Sequence, residues 1–219
     1  MDFTPAFVEI ITQRRSELRA ELGVILPEQR PIVLEIGCGH GHFLARYSAE
    51  HPAKLCIGVD LRSDRIDRAL RKAERARLPN CHFLRTEALE FIHALPPGVT
   101  FEEIWVLFPD PWPKKRHHKN RLLQPDFFEA VAAKSPVGTR LYFRTDFAEY
   151  FENVAAFLPS LATWQPAETP TWPMEHETVF QARADGYQSL VAVRTSHPAT
   201  PTGKVAPGLP PPANPRSLA

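Results

Sequence analysis

The stretch Phe108-Pro109-Asp110-Pro111-Trp112-Pro113 sets a carboxylate and an indole between prolines. Three prolines in five residues restrict the backbone, so Asp110 and Trp112 have little conformational entropy left to lose on binding. The next eight residues carry five permanent cations, Lys114, Lys115, Arg116, Lys119 and Arg121. A charge run is ordinarily a solvated face. Directly after a rigid acid and aromatic, it reads as a grip for phosphates beside a holder for a nucleobase.

A second constellation precedes it. Leu34-Glu35-Ile36-Gly37-Cys38-Gly39-His40-Gly41 joins an apolar run to a helical stretch, a turn that lets a nucleotide-like ligand approach the backbone closely. Dinucleotide-binding enzymes carry a similar pattern. Here the third glycine is Gly41, and His42 stands where Gly-x-Gly-x-x-Gly needs its last glycine. Glu35 sets a carboxylate beside the turn, which would repel a pyrophosphate but pair the ammonium of a methionine moiety. Asp60 follows about 20 residues later, where an acid accepts both ribose hydroxyls; its alternative role is to cap the next helix. Glu87 suits the adenine amino group, or the first turn of its own helix.

These residues need a scaffold. Short apolar runs at Ile32 to Ile36, Leu55 to Asp60, His82 to Leu84, Ile104 to Phe108 and Arg140 to Arg144 alternate with helical stretches. That alternation predicts an α/β fold with a parallel sheet and helices on both faces. Residues 2 to 22, with Phe7, Ile10, Ile11, Leu18 and Leu22, predict a leading helix. Segments 178 to 183 and 189 to 194 flank Asp185-Gly186, a hairpin signal that predicts an antiparallel end to the sheet, after a loop at 159 to 174. The expected organisation is a helical segment at 1–25, a central domain at 26–195 and a disordered tail at 196–219 with seven prolines.

Composition narrows the class. The 219 residues suffice for one core without staples, and three cysteines without Cys-x-x-Cys spacing read as buried thiols of a cytoplasmic protein. No apolar stretch approaches a membrane span and no metal-ligand cluster is evident, so neither membrane nor metal is expected. Net charge is only +1, so any nucleic-acid surface must be local. The stretch after Asp60 supplies one candidate, with Arg62, Arg65, Arg68, Arg71, Lys72 and Arg75 opposite a core side of Ile66, Leu70 and Ala73. A solvated helix face explains these cations equally well.

Residues 32 to 190 resemble the tRNA (guanine-N7-)-methyltransferases of the bacterial TrmB type, with the segment from Phe108 to His117 plus Lys119 and Arg121 matching the signature and Leu34 to Gly39 the donor turn. The resemblance implies a Rossmann-like class I S-adenosylmethionine-dependent methyltransferase, a mostly parallel seven-stranded sheet with a terminal antiparallel hairpin. It implies methyl transfer to N7 of a guanosine in the variable loop of tRNA; for the chain itself the expectation is a monomer or homodimer. Glu35, Gly37, Gly39, Asp60, Glu87 and Asp110 would line the donor site, with Asp110 catalytic. Lys114, Asp146, Thr178 and Gln181 would contact the substrate, and Lys115, Arg116, Lys119 and Arg121 the RNA phosphates. Asp60 stands where many members have Glu, Gln181 replaces the Glu of a Thr-x-Phe-Glu element, and the basic N-terminal segment of many members is not evident. Competing readings are an adenine amino-group methyltransferase, on the likeness of Asp-Pro-Trp to Asp-Pro-Pro-aromatic, a non-catalytic RNA-binding partner, and a nicotinamide oxidoreductase.

Overall fold

A computed structural model describes residues 5–26, 28, 30–174 and 185–200, the side chains of 5–8 and 11 excepted. Five parallel strands run in the order expected from the apolar runs: β1 (Ile32–Ile36), β2 (Leu55–Asp60), β3 (Cys81–Arg85), β4 (Phe101–Leu107) and β5 (Arg140–Thr145). Two antiparallel strands, β6 (Trp164–Pro166) and β7 (Gln188–Arg194), complete a seven-stranded sheet of order β3-β2-β1-β4-β5-β7-β6. β1 lies between β2 and β4, so the direction of winding reverses there and a crevice opens at the carboxyl ends of β1 and β4.

Alternation along the strands divides the core between two faces. Leu34, Ile36, Ile57, Val59, Ile104, Val106, Leu141 and Phe143 face one layer; Val33, Cys56, Phe83, Trp105 and Tyr142 face the other. The first layer contains α1 (Pro5–Ile25), α4 (Ala88–Ala94), α5 (Pro125–Ala132) and α6 (Ala148–Phe157); the second contains α2 (His42–Glu50) and α3 (Ser63–Arg75). Both faces are covered, which is why the central strands read as continuous apolar runs.

Several expectations change. On α3 the buried positions are Ile66, Ala69 and Ala73, while Leu70 is 46% exposed: the helical period selects the alanine, not the larger side chain. The segment read as a loop at 159 to 174 contains β6, and β7 pairs with β5 and β6. The first strand of the expected hairpin, 178 to 183, lies outside the described residues. The start of the expected tail is docked, with the Thr200 N–H donating to Glu129 Oε2 at 2.7 Å and Arg194 Nη1 to the His197 carbonyl at 2.7 Å. In α1, Leu18 and Leu22 are buried and Ile10 is half exposed. No helix among the described residues is long and apolar enough to cross a membrane.

Candidate active site

The carboxyl edge of the sheet gathers the acids singled out above. Glu35 lies in β1, Asp60 ends β2, Glu87 follows β3, Asp110 follows β4 and Asp146 follows β5. Parallel strands put these five positions along one edge because each strand enters its following loop on the same side.

Between β1 and α2 the chain turns through Gly37, Gly39 and Gly41, all with positive φ. A Cβ at Gly37 or Gly39 would meet no heavy atom within 4 Å, so the turn presents open space. At Gly41 a Cβ would lie 2.5 Å from Phe83 Cζ, so this glycine serves packing against β3. Asp60 braces the turn: Oδ2 accepts the Gly39 N–H at 3.0 Å and Oδ1 the Arg62 N–H at 2.9 Å. Arg62, not Asp60, occupies the N-cap of α3. Oδ2 also takes Arg65 Nη1 at 3.5 Å, whereas Oδ1 retains a second acceptor site.

Glu35 is 4% exposed, and its Oε2 has no hydrogen-bond partner. Burial pushes its carboxyl up to about 8; the Leu44 backbone N–H opposes this, Asp60 adds to it and Lys72 opposes it. A buried carboxylate oxygen without a partner beside an open backbone turn is an acceptor awaiting a donor. Lys72 donates to the His40 carbonyl at 2.8 Å and lies near Glu35. Burial and Arg75 push the Lys72 ammonium down while Glu35 opposes them. Lys72 therefore braces the glycine turn, and the proposed basic stripe loses a member. Arg62 pairs with Asp64 at 3.0 Å and Arg65 with Asp60 at 3.5 Å, which further reduces its free charge.

Glu87 is the N-cap of α4, its Oε2 accepting the Glu90 N–H at 3.1 Å. Burial raises its carboxyl, and the backbone N–H groups at the helix start oppose the shift. The reading of Glu87 as a residue that serves the start of its own helix thus has a structural basis.

The loop after β4 is constrained more tightly than its prolines require. Phe108 and Trp112 both adopt positive φ, 50° and 44°, conformations that cost non-glycine residues about 1–3 kcal/mol and persist only where the surroundings enforce them. Three groups do so. The Phe108 N–H donates to the Arg144 carbonyl at 2.8 Å, the Trp112 ring meets His117 edge-on at 5.8 Å, and Arg121 Nε donates to the Pro111 carbonyl at 2.8 Å. Asp110 is exposed between these restraints and contributes to the field at Tyr150. Lys115–Asn120 form a 3₁₀ segment in which Lys115, Arg116 and Lys119 are exposed, as is Lys114 before it. Arg121 departs from expectation: it is buried, with its guanidinium over the rings of Tyr150 at 5.0 Å and Phe147 at 5.9 Å. It is not a surface cation.

At the other end, Arg144 is buried with its guanidinium over Trp172 at 4.0 Å and Tyr187 at 4.4 Å, and its Nε donates to Ser189 Oγ at 2.8 Å. The Tyr187 ring approaches Phe108 edge-on at 6.2 Å. This pillar beside the loop was missed in the sequence because its members come from β5, the 167–174 stretch and the approach to β7. Asp146 is exposed just beyond β5. Thr178 and Gln181 lie outside the described residues.

A family described as "Putative methyltransferase" matches residues 29–187. The chain is 36% identical over 142 residues to a tRNA (guanine-N(7)-)-methyltransferase of Geobacter metallireducens, covering 65% of this chain and 67% of that one. It is 40% identical over 158 residues to the protein of the same name from Alkalilimnicola ehrlichii, covering 70% and 66%. The chain thus spans about two thirds of the length of these relatives. Among solved structures, a 16S rRNA (adenine(1408)-N(1))-methyltransferase from Catenulisporales acidiphilia matches with a TM-score of 0.53 and 18% identity, over 82% of this chain and 94% of that one. A putative methyltransferase from Thermoplasma acidophilum matches at 0.51 and 16%, over 79% and 73%. These two likenesses concern the fold.

Proposed function

The chain belongs to the tRNA (guanine-N7-)-methyltransferase family, and from that premise we propose that it methylates N7 of a guanosine in the variable loop of tRNA, with S-adenosylmethionine as donor. The observation that carries the donor assignment is the unpartnered Oε2 of buried Glu35 beside the open glycine turn. A carboxylate there pairs a methionine ammonium and would repel a pyrophosphate, which disfavours the nicotinamide reading. Gly37 and Gly39 admit the ligand against the backbone, the spare acceptor site on Asp60 Oδ1 suits a ribose hydroxyl, and Glu87 suits the adenine amino group.

Bound donor supplies an electrophilic methyl group: the N7 lone pair forms the new C–N bond while the C–S bond breaks and its electron pair leaves on sulfur. N7 carries no proton, so no general base precedes attack, and the positive charge ends on the purine. The chain's own contribution is alignment and compensation of that charge. Asp110, held exposed in a strained loop beside the crevice, supplies a carboxylate near the reacting ring. Asp146 accepts hydrogen bonds from the Watson-Crick edge, and Lys114, Lys115, Arg116 and Lys119 hold the RNA backbone. The target base must leave its stack to reach this edge. Thr178 and Gln181 complete the acceptor site in this reading, and the protein acts in the cytoplasm as a monomer or homodimer.

The test is Asp110→Ala. Methyl transfer to tRNA is expected to fall by at least about 100-fold, the scale of a lost transition-state electrostatic partner, while calorimetry finds donor affinity within a few-fold of the parent. Near-parental turnover overturns the assignment of Asp110. Loss of donor binding together with turnover assigns it to the donor pocket instead.

A further inference from the structure

Arg121 belongs to the cationic run yet does not share its environment. Its side chain is 2% exposed, whereas Lys114, Lys115, Arg116 and Lys119 are exposed. Its Nε, its Nη2 and the face of its guanidinium all meet groups of the protein. Nε donates to the Pro111 carbonyl at 2.8 Å, Nη2 meets His118 Nε2 at 3.0 Å and lies 3.7 Å from Glu149 Oε1, and the plane covers Tyr150 and Phe147. The backbone continues the connection, with the Arg121 N–H donating to the His118 carbonyl and the Leu123 N–H to Tyr150 Oη.

The carbonyl that Arg121 grips belongs to Pro111, the residue between Asp110 and Trp112. Trp112 is one of two non-glycine residues in the loop at positive φ, so this carbonyl is fixed at the point where the backbone is strained. A planar cation wedged between α6 and the loop ties the Asp110 carboxylate to the rigid layer beneath it.

We propose that Arg121 is a positioning residue for methyl transfer, not a phosphate contact: it sets the loop conformation that presents Asp110 to the acceptor base. The proposal rests on the tRNA-methylation reading above. Displacement of a catalytic group by about 1 Å costs on the order of 100-fold in rate, so the effect belongs in kcat. A phosphate contact would instead appear in RNA affinity and its salt dependence.

The experiment compares Arg121→Lys, Arg121→Met and Lys119→Ala with the parent, measuring kcat and KM for tRNA methylation, donor affinity by calorimetry, and tRNA affinity against salt. Lysine keeps the charge but lacks the planar fork that stacks and donates along Nε. Both Arg121 variants are expected to lose at least about tenfold in kcat, with KM and the salt slope unchanged and donor affinity within a few-fold. Lys119→Ala should show the opposite split, with the slope reduced by about one. A slope reduced by about one in Arg121→Met, or parental kcat in Arg121→Lys, overturns the proposal. If neither variant folds, Phe147→Leu decides: it removes one ring under the guanidinium and is expected to lower kcat several-fold at unchanged KM, and unchanged kcat refutes the positioning role. A parent protein that binds donor but does not methylate tRNA overturns the underlying reading, a separate result from a failure confined to the variants.

Discussion

Replacing Glu35 by glutamine keeps the shape of the side chain and removes an ionisation that the folded protein resists. In the folded chain its carboxyl is raised to about 8, against 4.5 for the free group. Between these values the folded chain retains a proton that the unfolded chain releases. Stability therefore falls as pH rises through the window, and the cost is complete above pH 8. At pH 7 the separation is about 2.5 units, or roughly 3 kcal/mol at about 1.4 kcal/mol per unit; relaxation around the group reduces this to on the order of 1–3 kcal/mol. Glu35→Gln should thus stabilise the ligand-free protein in urea denaturation by an amount that grows from pH 5 to pH 7.5. It should also lose donor affinity by about 100-fold or more, since removing one member of a buried ion pair costs about 3–5 kcal/mol. Donor binding to the parent at pH 7 should release close to one proton, read by calorimetry in buffers of different ionisation enthalpy. Parental donor affinity in the variant, or a destabilisation equal at both pH values, would refute the role given to Glu35.

Three further outcomes follow from the same geometry. Gly41→Ala combines a positive φ with a Cβ 2.5 Å from Phe83 Cζ, so it should cost about 2–4 kcal/mol in denaturation and weaken donor binding. Lys72→Met removes the brace on the His40 carbonyl, so donor affinity should fall about tenfold while the salt dependence of tRNA binding stays unchanged, the reverse of what an RNA-binding stripe requires. Lys115→Ala and Lys119→Ala should each reduce that salt slope by about one without affecting donor binding, as measured by filter binding across a salt series.

The scaffold was legible because its strands are covered on both faces. Ile32–Ile36 and Leu55–Asp60 coincide with apolar runs visible in the chain, and the polar residues terminating such runs fall at the ligand edge. Glu35 stood out because a carboxylate inside an apolar strand has no packing role. Other features depend on partners remote in sequence. Arg121 sits among surface cations in the chain, and only Tyr150 and Phe147, brought over by α6, bury it. The Trp172, Arg144 and Tyr187 stack joins three segments whose meeting leaves no periodic trace. β6 is three residues long and includes a proline, so its partner β7, more than its own sequence, makes it a strand.

The central claim is that Glu35 and the glycine turn hold a methyl donor opposite a loop that presents guanine N7. Its most direct measurement is incubation of the protein with methyl-labelled S-adenosylmethionine and unmodified tRNA, followed by chemical cleavage of the strand at 7-methylguanosine. Label in tRNA and a single new cleavage position within the variable loop are the expected result. Label absent from tRNA, or incorporated without cleavage at a guanosine, would contradict it.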